Sequence, residues 1–178
     1  GAFIEHIHAL TQLGAECVEL RQLADLEQPL DGVVLPGGES TVQGKLLQEL
    51  GMFAPLQEKI RQGLPVLATC AGMILLAEHL AADSTRHLAT MPITVKRNAY
   101  GRQLGSFVTE AELGSLGRVP MTFIRAPYIE SVGEGTLAVV DGHIVAAQYG
   151  KQLALAFHPE LDIDKSTAVH EYFLRLCR

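Results

Sequence analysis

Leu64-Pro-Val-Leu-Ala-Thr-Cys-Ala-Gly-Met-Ile-Leu-Leu-Ala77 is an apolar run that changes character at a single reactive residue. Residues 64–69 read as a buried strand, and residues 71–82, rich in Ala, Leu and Met, read as a helix. A strand that passes into a helix through Cys70 and small residues has the layout of a nucleophile elbow. Such a turn projects its side chain at the carboxyl end of a sheet, and the helix amino terminus favours an anionic sulfur. The bland alternative is a buried structural cysteine, a common place for a free thiol. Cys17 and Cys177 show no comparable setting.

Upstream of this stretch, Ile4, Ile7, Leu10 and Leu13 recur at helical spacing and stop at Gly14. Cys17, Val18 and Leu20 suggest a strand, and Val33 to Leu35 a second one that ends at Pro36, Gly37 and Gly38. Ser40 and Thr41 are placed to cap a helix over 42–50, and another helix covers 53–62. Downstream the texture changes to short strands at 93–95, 105–108, 121–124, 136–140, 144–148 and 153–157. Asp141-Gly142 and Gly150-Lys151 supply hairpin turns, and 168–177 is an amphipathic helix. Strands alternating with helices imply a sheet covered on both faces, so an α/β sandwich is expected.

With 178 residues the chain fits one domain. It is 48% hydrophobic and 19% charged, and no apolar stretch reaches the roughly 20 residues of a membrane span. A net charge of -6 without clustered Lys and Arg argues against nucleic acid as a ligand. Three widely spaced cysteines fit neither a disulfide framework nor a paired-Cys zinc site, so a reducing cytoplasm is the expected compartment.

A cysteine nucleophile needs a base, itself oriented by a carboxylate or amide. His158-Pro159-Glu160 follows the last apolar strand and supplies both, although alone it would read as a strand-end histidine in a surface loop. A metal site built on His158, Glu160 and His170 has poor spacing, and His6 and His8, two apart on a helix, face different ways, so no metal is expected. The Pro36-Gly37-Gly38-Glu39-Ser40 loop lies between a strand and a helix, where backbone amides can face a developing oxyanion; Gly38 and Ala71 are the candidate donors. It lacks the Gly-Lys of a P-loop.

Pro36-Gly-Gly-Glu-Ser-Thr41, Thr69-Cys-Ala-Gly-Met73, Arg97-Asn-Ala-Tyr-Gly-Arg102, Phe123-Ile-Arg-Ala-Pro-Tyr128 and Phe157-His-Pro-Glu160 are spread over nearly the whole chain. Together they resemble the glutaminase subunits of pyridoxal 5'-phosphate synthase, within the class I, or triad, glutamine amidotransferases. The resemblance implies a three-layer, flavodoxin-like sandwich with a mixed, mostly parallel central sheet. It also implies that Cys70 attacks the carboxamide carbon of glutamine, His158 protonates the departing ammonia and Glu160 orients His158. Gly38, Glu39, Ser40, Arg97, Ile124 and Arg125 would contact glutamine, an Arg pairing with its carboxylate and Glu39 receiving its amino group. No cofactor is implied. The implied partner is a (β/α)8-barrel synthase subunit that consumes the ammonia, arranged as a dodecameric ring decorated by glutaminases.

Members of that family begin with a strand and a Leu-Gln-Gly-Ala segment, whereas this sequence starts at the Gly, so the first strand is expected to be absent from it. Ala68 stands where elbows often carry Gly, a change of little expected effect. Two other functions stay open: another α/β cysteine hydrolase, such as a DJ-1-like peptidase, and a truncated, non-catalytic assembly subunit.

Overall fold

The computed structural model describes residues 3–97 and 106–178. Helices α1 (Phe3–Gln12) and α2 (Leu23–Glu27) precede β1 (Val33–Leu35), α3 (Ser40–Glu49), α4 (Phe53–Arg61), β2 (Val66–Thr69) and α5 (Ala71–Leu76). Strands β3 (Ala77–Leu80), β4 (Met91–Lys96), β5 (Ser106–Glu112), β6 (Arg118–Ile124) and β7 (Tyr128–Val132) follow. The chain then runs through β8 (Thr136–Val140), β9 (His143–Tyr149), β10 (Gln152–Leu155), a 3-10 turn (Pro159–Asp162) and α6 (Ala168–Leu176).

The main sheet has the order β1-β2-β10-β9-β7-β4-β3, with β8 added on β9, while β5 and β6 form a separate antiparallel pair. It is the mixed α/β sheet expected. The parallel strands β1-β2-β10 are the part that carries the elbow. Every residue of β2 and β10 is buried, as strands covered on both faces must be. Helix α5 packs on β1, β2 and β10 at their carboxyl ends. Gly72 makes this packing possible: a Cβ there would lie 2.0 Å from the carbonyl oxygen of Leu35.

Several expectations are corrected. The helix expected over 71–82 ends at Leu76, and Ala77–Leu80 is instead a strand with Ala77 and Leu80 buried, parallel to β4. Pairing with β4 satisfies backbone groups that the Ala- and Leu-rich composition would place in a helix. Cys17 to Leu20 has no strand assignment, because no strand runs beside it among the described residues to make a ladder. The helix after the glycine-rich loop starts at Ser40, and its cap is Glu39, whose carboxylate accepts from the Thr41 N–H at 3.3 Å, rather than Ser40 or Thr41. In α1 the buried face carries His6, Ala9 and Leu10, whereas Ile4 is 65% exposed. Strand β7, which begins at Tyr128, has no counterpart in the sequence pattern; Gly105, expected to open a strand, lies outside the described residues.

Candidate active site

Three strand ends converge on the site. β2 delivers Cys70, the segment after β10 delivers His158 and Glu160, and β1 leads into the glycine-rich loop. Cys70 sits between β2 and α5 with φ 52 and ψ -105, a conformation disfavoured for a residue with a Cβ. It persists because both sides are tied down: the Cys70 N–H donates to the Leu155 carbonyl at 2.8 Å, and the Cys70 carbonyl accepts from the Ile74 N–H at 3.2 Å. The thiol is half-buried and unbridged.

His158 and Glu160 are 7% and 1% exposed. Nδ1 of His158 lies 2.6 Å from Oε1 of Glu160, a short, charge-assisted contact. Cys70 acts on the ring as well, and with Glu160 it favours the charged imidazole. Burial pulls the His158 pKa down. The Cys70 hydrogen bond, the Glu160 hydrogen bond and the charges of both partners outweigh it and raise the value to about 9. The imidazole is therefore a cation beside the Cys70 sulfur at neutral pH.

The glycine-rich loop closes over this ring. A Cβ on Gly37 would stand 2.6 Å from Cε1 of His158, so only glycine fits there. Gly38 adopts φ 147, again a glycine conformation. Gln43, one turn into α3, donates from Nε2 to the Pro36 and Gly37 carbonyls at 3.2 and 3.4 Å and so braces the loop. On the far side, the Thr122 carbonyl of β6 accepts from the His158 N–H at 2.9 Å, and the Thr122 hydroxyl donates to Asp162 at 2.7 Å. Thr122 and Asp162 thus pin the 3-10 turn that holds Glu160.

The remaining expected residues are placed as follows. Ala71 opens α5 and is buried, and Ser40 opens α3 with its hydroxyl buried and unpartnered among the described residues. Arg97 contacts Glu39 at 3.5 Å, Asp83 at 3.5 Å and the Thr41 hydroxyl at 3.3 Å. Ile124 ends β6, two residues past Thr122, and Arg125 follows at φ 46; both are exposed. Asn98, Ala99, Tyr100, Gly101 and Arg102 of the motif begun by Arg97 lie outside the described residues. A cavity of about 400 Å³ lined by Lys59, Gln62, Lys151 and Arg178 contains none of these groups; it lies beside Pro65 and Asp31, at the opposite ends of β2 and β1.

Sequence reasoning misses Gln43, Thr122 and two buried histidines behind Glu160, His6 and His170. It weighs His170 only as a metal ligand. Among the described residues no group of three or more His, Cys, Asp or Glu could hold a metal ion, and no helix is long and apolar enough to cross a membrane.

Residues 1–178 match the SNO glutamine amidotransferase family. The pyridoxal 5'-phosphate synthase subunit PdxT of Desulfitobacterium hafniense (strain Y51) is 65% identical over 176 residues, covering 98% of this chain and 87% of that protein. The PdxT subunit of Streptococcus pneumoniae serotype 2 (strain D39 / NCTC 7466) is 54% identical over 183 residues, covering 100% and 94%. A crystal structure of a glutamine amidotransferase superposes with a TM-score of 0.92 at 40% identity, over 99% of this chain and 94% of that one. A putative GMP synthase protein from Thermoplasma acidophilum has a TM-score of 0.64 at 16% identity, over 97% and 86% respectively, a likeness of fold alone. The chain belongs to the SNO glutamine amidotransferase family.

Proposed function

We propose that the chain hydrolyses L-glutamine to L-glutamate and ammonia at Cys70, His158 and Glu160, and that the ammonia serves pyridoxal 5'-phosphate synthesis. The observation that carries this reading is the strained Cys70 at the head of α5, set against a His158 whose pKa is raised to about 9 by Cys70 and Glu160. The sulfur of Cys70 attacks the carboxamide carbon, forming a C–S bond, and the oxygen becomes an oxyanion facing the amides of Gly38 and Ala71. As the C–N bond breaks, His158 gives its proton to the nitrogen, which leaves as ammonia. Water then adds to the γ-glutamyl thioester with His158 as base, releasing glutamate and returning the proton to the pair. Glu160 holds the ring in the tautomer this requires.

Arg97 pairs with the substrate carboxylate and Glu39 with its amino group, while Gly38, Ser40, Ile124 and Arg125 complete the glutamine site. The mutual contact of Glu39 and Arg97 supports this, because each already holds a group of the charge it would meet in the substrate. The name borne by the relatives, a synthase subunit, supports a separate synthase partner that accepts the ammonia; the motif resemblance alone extends this to a dodecameric barrel ring decorated by glutaminases. Free cysteines at 17, 70 and 177 support a cytoplasmic setting.

Ammonia release from glutamine, measured with and without the synthase partner, tests the reading. Cys70→Ala is expected to abolish it; undiminished release by that variant, or peptide cleavage in its place by the parent chain, would overturn it.

A further inference from the structure

Arg97, which pairs with the substrate carboxylate in the proposed reaction, is held from two sides. Its Nη2 lies 3.5 Å from Oε1 of Glu39 and donates to the Thr41 hydroxyl at 3.3 Å, while its Nη1 lies 3.5 Å from Oδ2 of Asp83. Glu39 and Thr41 belong to the start of α3, beside the glycine-rich loop. Asp83 belongs to the connection between β3 and β4, residues 81–90, and has no part in the proposed reaction.

Asp83 is the fixed member of its pair. Its Oδ1 accepts from the Thr85 N–H at 2.8 Å, and its own N–H donates to the Leu80 carbonyl at 3.2 Å. The hydrogen bonds from Thr85, followed by the charge of Arg97, hold its carboxyl below the usual carboxylate range, so it is an anion at neutral pH. The connection that presents it is anchored at several points. Leu88 is fully buried and its carbonyl accepts from Nε2 of Gln57 on α4 at 2.7 Å, and the Ala89 N–H donates to the Leu75 carbonyl of α5 at 3.2 Å. His87 packs directly on α3, where a Cβ on Gly44 would stand 2.3 Å from its Nδ1. Ala82 and Ala89 take φ 58 and 51, left-handed values that a residue with a Cβ keeps only where its surroundings hold it. The connection is thereby locked to the helix capped by Glu39, and Asp83 and Glu39 share one frame. Arg97, by contrast, reaches both carboxylates on a long side chain with several rotatable bonds, from a turn just past β4.

From this geometry we infer that Asp83 is a positioning residue: it fixes the Nη1 end of Arg97 so that the Nη2 end stays turned toward Glu39 and Thr41, where the carboxylate and amino group of glutamine bind. The second anchor matters once substrate enters. Glu39 then turns its charge to the amino group, and Asp83 is the carboxylate that keeps the guanidinium in register. Asp83 also repels the substrate carboxylate, an effect of opposite sign on KM. Its side chain is 34% exposed, so water screens that repulsion, whereas an unanchored guanidinium must be ordered anew with every substrate; orientation outweighs repulsion. The inference rests on the reading of Arg97 and Glu39 as glutamine contacts given above.

Glutaminase kinetics of the full chain with its synthase partner test it, using Asp83→Ala, Asp83→Asn, Arg97→Ala, and Asp83→Ala combined with Arg97→Ala. Asp83→Ala is expected to raise KM for glutamine about fivefold with kcat within about twofold of the parent. Asp83→Asn, which keeps an oxygen acceptor for the guanidinium, is expected to recover part of the loss, and Asp83→Ala is expected to add nothing to KM in the Arg97→Ala background. Should Asp83→Ala fail to fold, Asp83→Asn carries the same cycle with a smaller rise in KM. A lowered KM in Asp83→Ala would show that repulsion dominates, and an unchanged KM, or the same rise in both backgrounds, that Asp83 does not act through Arg97; each overturns the inference. Arg97→Ala alone separates the two readings. With its KM raised and that of Asp83→Ala unchanged, the glutamine contact stands and the positioning role falls, whereas an unchanged KM in Arg97→Ala removes the glutamine contact itself and the inference with it.

Discussion

The imidazole of His158 lies 2.6 Å from the carboxylate of Glu160, two residues further along the chain, and both side chains are buried. This pairing, together with Cys70, sets the protonation state on which the proposed chemistry depends. In an NMR titration His158 should change charge near pH 9, and Glu160→Gln should move its midpoint downward, since one of the two partners that raise it is lost. An unmoved midpoint in that variant would remove Glu160 from the account. The sign for stability follows. A raised histidine contributes stability fully below its unfolded value of 6.5 and loses it as pH rises through about 9, so denaturant midpoints should decline toward alkaline pH and decline less in Glu160→Gln.

His6 and His170 act in the opposite direction. The unfolded chain takes protons on these groups below about 6.5, whereas the folded one holds them off until about 3 for His6 and about 4 for His170. Their stabilising effect is complete above 6.5 and is lost as pH falls, by about 1.4 kcal/mol per pH unit for each group. Chemical denaturation between pH 7 and 4 should show this loss, and substituting His170 should flatten the slope. His6 is faced by His170 from α6, Glu160 and His158 from the turn after β10, and Thr69 from β2; after burial, His170 and His158 add to the lowering.

Two glycines separate packing from chemistry. Gly72→Ala would drive a Cβ to 2.0 Å from a strand carbonyl, a backbone clash that should lower stability by about 3 kcal/mol or more in thermal unfolding. Gly37→Ala would meet the His158 ring at 2.6 Å, so it should displace the ring and cut kcat while leaving Tm much closer to the parent value. Similar Tm losses for both would contradict this division.

Arg97 has one carboxylate on each side, Glu39 and Asp83, each 3.5 Å away. Arg97→Ala should raise KM for glutamine by about tenfold with a smaller change in kcat, as loss of a substrate carboxylate contact predicts. An unchanged KM would assign Arg97 to the surface ion pairs alone.

What can be read from the sequence is local. Cys70 announces itself because an elbow needs small residues within a few positions, and His158 and Glu160 because they are neighbours at a strand end. His6 and His170 are 164 positions apart, and only the packing of α1 against α6 brings them together. Hydrophobic spacing points α1 inward through Ile4, yet Ile4 is 65% exposed and His6 is 2% exposed, because a buried imidazole with partners on two other elements competes successfully for the interior. Likewise Ala77 to Leu80 is a strand through its pairing with β4, a contact no local pattern encodes.

The central claim is that Cys70 carries the γ-glutamyl group between the two half-reactions. Acid quenching of the protein during turnover with glutamine, followed by peptide mass spectrometry, tests it most directly. The account predicts one γ-glutamyl group on the peptide containing Cys70 and none in Cys70→Ala; a group found on another residue, or turnover by Cys70→Ala with no covalent intermediate, would contradict it.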